Sequence, residues 1–224
     1  IIKEGIPYDK NNYPKPGYWK FEDTDNSGMI TEADRTIIGN ANPKLYGGLT
    51  NNFTWKGFDL SVFLNFSIGN KIYGANQMYY TKFNNRWRNT LKDKALDRFT
   101  VMNDKGEYIF NDPEQLAAVN KDRHYVSIDG SSNLSFHSGY VEDGSFLKIN
   151  NISLGYTLPK SLVTKIKLSN VRFYATGYNL HTFTKYSGYD PEVNTCANNG
   201  LTPSIDWGAY PSAISVVFGA NISF

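Results

Sequence analysis

Ser215-Val216-Val217-Phe218-Gly219-Ala220-Asn221-Ile222-Ser223-Phe224 ends the sequence on a strict alternation. Successive side chains of an extended backbone point to opposite sides. Val216, Phe218, Ala220, Ile222 and Phe224 therefore share one face, and Val217, Gly219, Asn221 and Ser223 the other. The ends of soluble domains usually fray, whereas about ten alternating residues is the length a tilted transmembrane β-strand needs.

The same period recurs upstream. Phe58, Leu60, Val62, Leu64, Phe66 and Ile68 alternate with Asp59, Ser61, Asn65 and Ser67, and only Phe63 breaks the polar face. Leu49, Phe53 and Trp55 alternate with Thr50, Asn52, Thr54 and Lys56, and Lys56-Gly57 is the expected tight hairpin turn between the two runs. Ile152, Leu154, Tyr156 and Leu158 form another apolar face, and a slip of phase across residues 146–150 predicts a β-bulge. A further strand is expected over residues 171–182, reached through Pro159-Lys160-Ser161, although Val171, Phe173 and Tyr174 compete there for the apolar face.

Two long polar segments, residues 70–144 and 183–210, separate these runs. Compact soluble domains rarely carry such loops, whereas outer-membrane barrels pair short periplasmic turns with long external ones. On that parity the Lys56-Gly57 and Pro159-Lys160 turns lie on one side, and Phe224 finishes there too. Local order is expected within the first loop. Asp112 is placed to cap a short helix with Pro113 at its first position, Glu114 in its first turn, and Leu116, Ala117 and Val119 along it; residues 85–99 suggest another helix. The fold class is thus all-β: an antiparallel transmembrane β-barrel segment with long extracellular loops containing short helices. About five strands cannot close a barrel by themselves, so residues 1–224 are expected to be an arc of a larger wall.

Composition limits the alternatives. A net charge of +2 without Lys/Arg runs gives no nucleic-acid footprint. No apolar run approaches the roughly 20 residues of a transmembrane helix. A mean hydropathy of −0.46 suits a soluble protein or a barrel, whose lipid-facing residues hide between polar ones. The 16 Tyr, 14 Phe and 4 Trp fit interfacial girdles or a sugar-binding surface, and the single cysteine, Cys196, excludes a disulfide framework.

Residues 23–34 have the spacing of an EF-hand-type calcium loop. Asp23, Asp25 and Ser27 fall at loop positions 1, 3 and 5, Gly28 at the sharp turn, the Met29 carbonyl at 7, Thr31 at 9 and Asp34 at 12. Asp34 replaces the longer Glu of the helix-loop-helix version, as in dockerin-like loops. The competing reading is a plain turn in which Asp25-Asn26-Ser27-Gly28 bonds its own backbone. Catalysis is not expected: His124, His137 and His181 are scattered, with no nucleophile motif or metal-ligand pair beside them. Tyr79, Tyr80, Trp87 with Arg88, Tyr186 and Tyr189 are read as ligand-binding or loop-packing aromatics.

Several stretches in order resemble the carboxyl-terminal part of SusC/RagA-type TonB-dependent outer-membrane transporters. They are residues 23–34, Trp55-Lys56-Gly57-Phe58-Asp59-Leu60-Ser61, residues 142–151, Leu154-Gly155-Tyr156-Thr157-Leu158-Pro159, Gly177-Tyr178-Asn179-Leu180, Gly188-Tyr189-Asp190-Pro191-Glu192 and the final Phe224. The resemblance implies a barrel of roughly 22 strands. It also implies a plug and a TonB-contacting segment that this sequence lacks, a SusD-like surface lipoprotein as partner, and TonB-powered uptake of oligosaccharides or peptides across the outer membrane of a Bacteroidota-like Gram-negative cell. A terminal strand ending in Phe also resembles the signal read by the barrel-assembly machinery. The alternative is a soluble, calcium-stabilised β-sandwich that binds carbohydrate.

Overall fold

In a computed structural model, residues 15–81, 87, 89–128, 136–196 and 199–224 are described. They fall into two compact units, one of residues up to 38 with 75–140, the other of residues 39–74 with 141–224. The second unit carries the alternating runs. Its strands β1 (Leu45–Trp55) and β2 (Phe58–Ile68) form a hairpin; β3 (Lys71–Tyr73) pairs with β4 (Val141–Asp143); and β5 (Phe146–Thr157), β6 (Asn170–Thr184) and β7 (Ser215–Ser223) continue the main sheet. The main sheet is an antiparallel meander of five strands in the order β1-β2-β5-β6-β7.

Local chemistry explains the pairing. Lys56 and Gly57 both have positive φ, 46° and 88°, the geometry of a type I′ turn whose twist matches the strands it joins. The bulge is where the slip of phase places it. Register steps between Phe63 and Leu64 on β2 against β5, leaving Asn150 as the extra residue. Against β6 it steps again, because Tyr178 to His181 opposes only Asn151 to Ile149. Asn179, at φ 52°, takes up that extra residue. The two steps keep Leu147, Ile149, Ile152, Leu154 and Tyr156 on one face despite their change of parity. They also resolve the poor alternation of β6: Val171, Phe173, Ala175 and Gly177 share the apolar face with Val216, Phe218, Ala220 and Ile222 of β7, while Tyr174 points the other way beside Gly219.

The apolar face therefore extends across the sheet and is largely uncovered, with Phe218 79% and Trp55 67% exposed, although Val171 is buried. On the opposite face, here the inner face, the ring of Phe63 lies over Gly48, so the one apolar interruption of the polar pattern is packed against the neighbouring strand. The expected short turn at Pro159-Lys160-Ser161 is longer than the sequence suggests. Helix α4 (Lys160–Val163; α1–α3 belong to the other unit) and a 3₁₀ turn (Thr164–Ile166) fill the connection, with Val163 buried and Lys167 left-handed at φ 61°. The hairpin turn, this connection and the end of β7 lie at one edge of the sheet, and the long connections leave from the other.

Residues 185–214 are not a structureless loop. Tyr186, Val193 and Ile72 form a small core with Ala209 against it. Ile205 bridges Tyr73, where Tyr73 N–H donates to the Ser204 carbonyl and Asp206 N–H to the Tyr73 carbonyl.

The first unit contains α1 (Ala75–Tyr80), α2 (Lys92–Asp97) and α3 (Pro113–Val119). Asp112 caps α3 as its sequence predicts, accepting 3.0 Å from Gln115 N–H, with Pro113 in the first turn. Of the helix suggested over residues 85–99 only α2 forms among described residues. Trp19, Tyr125, His137 and Tyr140 pack ring on ring, with Trp19 and His137 centroids 4.5 Å apart.

Candidate functional site

The acidic loop is compact. Asn26 at φ 58° and Gly28 at φ 80° bend the backbone back on itself, and Gly28 meets no neighbour within 4 Å, so its conformation rather than space requires glycine. Asp23 accepts from Ser27 N–H at 3.1 Å and Gly28 N–H at 2.8 Å; Asp34 accepts from Thr24 N–H at 2.8 Å and Thr31 N–H at 2.6 Å. These bonds set the protonation behaviour. The Ser27 side chain and backbone N–H hold Asp25 below the usual carboxylate range, and the Thr31 N–H, helped by Thr24, does the same for Asp34. Asp25 and Asp34 are therefore ionised at neutral pH.

One oxygen from each of Asp23, Asp25 and Asp34 lies within 4.8 Å of the others. An ion with oxygen ligands at about 2.4 Å spans about 5 Å between opposite ligands, so the spacing fits calcium. The Ser27 hydroxyl is 3.0 Å from the Met29 carbonyl, as neighbouring ligands would be, whereas the Thr31 hydroxyl caps the 3₁₀ turn Glu32–Asp34 by accepting from Ala33 N–H. Asp23, Asp25, Ser27, Met29 and Asp34 would supply the oxygens directly. Thr31 would act through the turn it caps.

The inner face of the sheet carries two charge pairs that sequence reading misses. Arg172 on β6 donates to Asp59 on β2 through Nε at 2.9 Å and Nη2 at 2.5 Å, crossing over Gly155 on β5 between them. Lys148, its side chain only 4% exposed, donates to Glu192 at 2.5 Å and to Ser212 Oγ at 3.3 Å, while Asn65 Nδ2 donates to the other Glu192 oxygen at 3.0 Å. Two residues away, Asp190 accepts from Glu192 N–H and from Ser212 N–H. Burial pushes the Asp190 carboxyl up, but these N–H groups together with Lys148 hold it below its ordinary range. Residues 190 and 212 are thereby tied together at the inner wall. Opposite charges on the polar face of strands were the available signal; their partners were not.

The expected ligand-binding aromatics divide. In the first unit, Tyr79 and Tyr80 pack edge to face at 5.5 Å, Tyr80 is 45% exposed and Trp87 94% exposed; Arg88 lies outside the described residues. In the second unit Tyr189 is 82% exposed, but Tyr186 is buried and its hydroxyl donates to Asp206 Oδ2 at 2.6 Å. The expectation that Tyr186 faces a ligand is thus corrected to the packing alternative. Its hydroxyl is pushed well above the ordinary tyrosine range, first by burial and then by Asp206.

A five-stranded meander with a largely uncovered apolar face, long ordered connections at one edge and polar pairs on its inner face has the pattern of a wall segment of a β-barrel. No protein-family model matches the chain. TonB-dependent receptor P3 of Formosa agariphila is 33% identical over 215 residues, 93% of this chain and 19% of that protein. TonB-dependent receptor SusC of Bacteroides thetaiotaomicron is 28% identical over 219 residues, covering 97% of this chain and 18% of SusC. The solved RagAB peptide transporter superposes with a TM-score of 0.66 at 22% identity, over 95% of this chain and 21% of the solved one. This chain belongs to the SusC/RagA type of TonB-dependent receptor, and it spans about a fifth of the length of the curated relatives it matches.

Proposed function

We propose that this chain is the carboxyl-terminal wall segment of an outer-membrane TonB-dependent nutrient importer. Its strands would form an arc of a larger barrel of roughly 22 strands. The observation that carries the reading is the apolar face that extends through all strands of the main sheet, interrupted by Asn51 and His181, while most of its large side chains stay at least partly exposed. Hydrocarbon covers such a face without a second layer, and an open sheet is tolerated there only when neighbouring strands close it. The soluble-sandwich alternative needs a second sheet on that face, which those exposures do not support. Among the described residues no helix is long and apolar enough to cross a membrane, so any crossing would be made by strands.

In this reading the complete receptor imports oligosaccharides or peptides, draws energy through TonB and closes against a SusD-like surface lipoprotein. The likeness to the RagAB peptide transporter supports the peptide class of cargo, and the likeness to the TonB-dependent receptor SusC supports the energy source. The exposed Tyr80, Trp87 and Tyr189, with the half-buried Tyr79 packed against Tyr80, would offer stacking surfaces to cargo or lid. The loop at residues 23–34 would bind calcium at roughly 10⁻⁴ to 10⁻³ M, the range of extracellular sites, and stiffen its part of the outer surface.

Separation of cell envelopes from cells expressing the complete receptor tests the placement: it should band with the outer membrane and require detergent for extraction. A monomer stable in plain buffer would sink the reading. Calcium titration of the purified receptor tests the loop separately, and neither heat nor a higher melting temperature at millimolar calcium would remove the metal from it.

A further inference from the structure

The outward face is not uniform. Where it meets the long-connection edge, Leu45, Phe66, Ile68, Leu147 and Phe183 line an open groove of about 770 Å³. The register explains the grouping: Leu45 opposes Ile68, Phe66 opposes Leu147, and Leu147 opposes Phe183, so one outward row from four strands meets at the rim. Directly above this row the side chains become charged. Lys185 and Asp143 line the upper end of the same groove, and Lys71 stands 3.9 Å from Asp143. Two lysines thus flank Asp143, which is further occupied by the N–H and hydroxyl of Ser145 at 2.9 and 2.6 Å.

We infer that this groove seats an anionic, phosphate-bearing lipid of the outer leaflet, with an acyl chain against Phe66, Leu147 and Phe183 and its phosphate between Lys71 and Lys185. The inference rests on the membrane placement proposed above. Charge complementarity selects the occupant. A neutral lipid would satisfy the apolar row but leave the excess cation unmatched, whereas a phosphate accepts from both ammonium groups. Lysine stems favour the same arrangement, since they lie along apolar surface while their heads reach the headgroup level. Asp143 balances one lysine and keeps the site from closing on itself in the absence of lipid.

Native mass spectrometry of the complete receptor released from detergent micelles tests this, with phosphorylated lipid A, dephosphorylated lipid A and phosphatidylethanolamine as probes. Phosphorylated lipid A should be retained preferentially; Lys71→Gln should weaken retention by about fivefold, the effect expected of one lysine at a membrane surface, and the charge reversal Lys185→Glu by more than that. Equal retention of the phosphorylated and dephosphorylated forms would overturn the site while leaving the membrane placement intact. Adducts of a second receptor copy in place of lipid would overturn it as well, by showing the groove to be a protein interface. Failure of the receptor to require detergent would remove the placement itself. The milder Lys185→Gln separates loss of binding from loss of folding: heat-resistant migration on a gel should be unchanged while lipid retention falls.

Discussion

Gly155 should be essential only because of what passes over it. Its Cα lies on β5 beneath the bidentate contact between Asp59 and Arg172, and a Cβ there would press against Arg172 Nη2 and stand 2.6 Å from both Asp59 carboxylate oxygens. Gly155→Ala must therefore part the pair or bend the strand. A charge-assisted hydrogen bond contributes about 1.5–3 kcal/mol when shielded and an exposed pair about 0.2–1 kcal/mol. With side chains 26% and 35% exposed, the Arg172–Asp59 contact lies between these limits. A loss of about 1–2 kcal/mol is expected, with about 1 kcal/mol more if the strand yields instead. Urea unfolding of the complete receptor in detergent, followed by tryptophan fluorescence, gives the number. The decisive comparison is a double-mutant cycle: in an Arg172→Ala background, where nothing crosses the glycine, Gly155→Ala should cost less than about 0.5 kcal/mol. If alanine at 155 costs the same with and without Arg172, the pair is not why glycine is there.

Three further outcomes follow from the contacts. Glu192→Gln should destabilise the tie at the inner wall by about 1–3 kcal/mol, below the full cost of breaking a buried pair because Glu192 is 36% exposed, and Lys148→Met in the same background should recover most of it by removing the stranded charge. Limited proteolysis within residues 193–211 should accelerate in the first variant and slow again in the second. Asp112→Ala should cost α3 about 1 kcal/mol through loss of its cap, read as faster amide exchange over that helix with little change elsewhere. Acid should loosen the first unit in two stages. Burial lowers the His137 pKa, so the stability it confers is present above the unfolded value of about 6.5 and drains as pH falls below it; the depressed carboxylates Asp25, Asp34 and Asp112 give up theirs only below about pH 4. His137→Phe should flatten the first stage, measured as melting temperature against pH, and leave the second.

Much of this was legible in the chain because the controlling signals are local. The alternation in Ser215–Ser223 and Phe58–Ile68 fixed strand and face, the Asp112-Pro113 pair fixed a helix start, and the phase slip near Asn150 fixed a bulge. Residues 158–169 were misjudged because a short helix of the composition Lys-Ser-Leu-Val has no period to reveal it. The choice between ligand contact and packing at Tyr186 is not legible for a different reason: an aromatic in a polar loop looks exposed until a distant Asp206 and Ile72 are brought around it.

By itself, then, the sequence determined which segments extend, which side of each is apolar, and that residues 23–34 gather carboxylates around a glycine turn. The tertiary structure decided what crosses between segments. Asp59 meets Arg172 from 113 residues away and Lys148 meets Glu192 from 44. A period-2 pattern specifies the face on which a charge will lie, but not which strand will pair beside it, and only that pairing brings opposite charges within hydrogen-bonding distance.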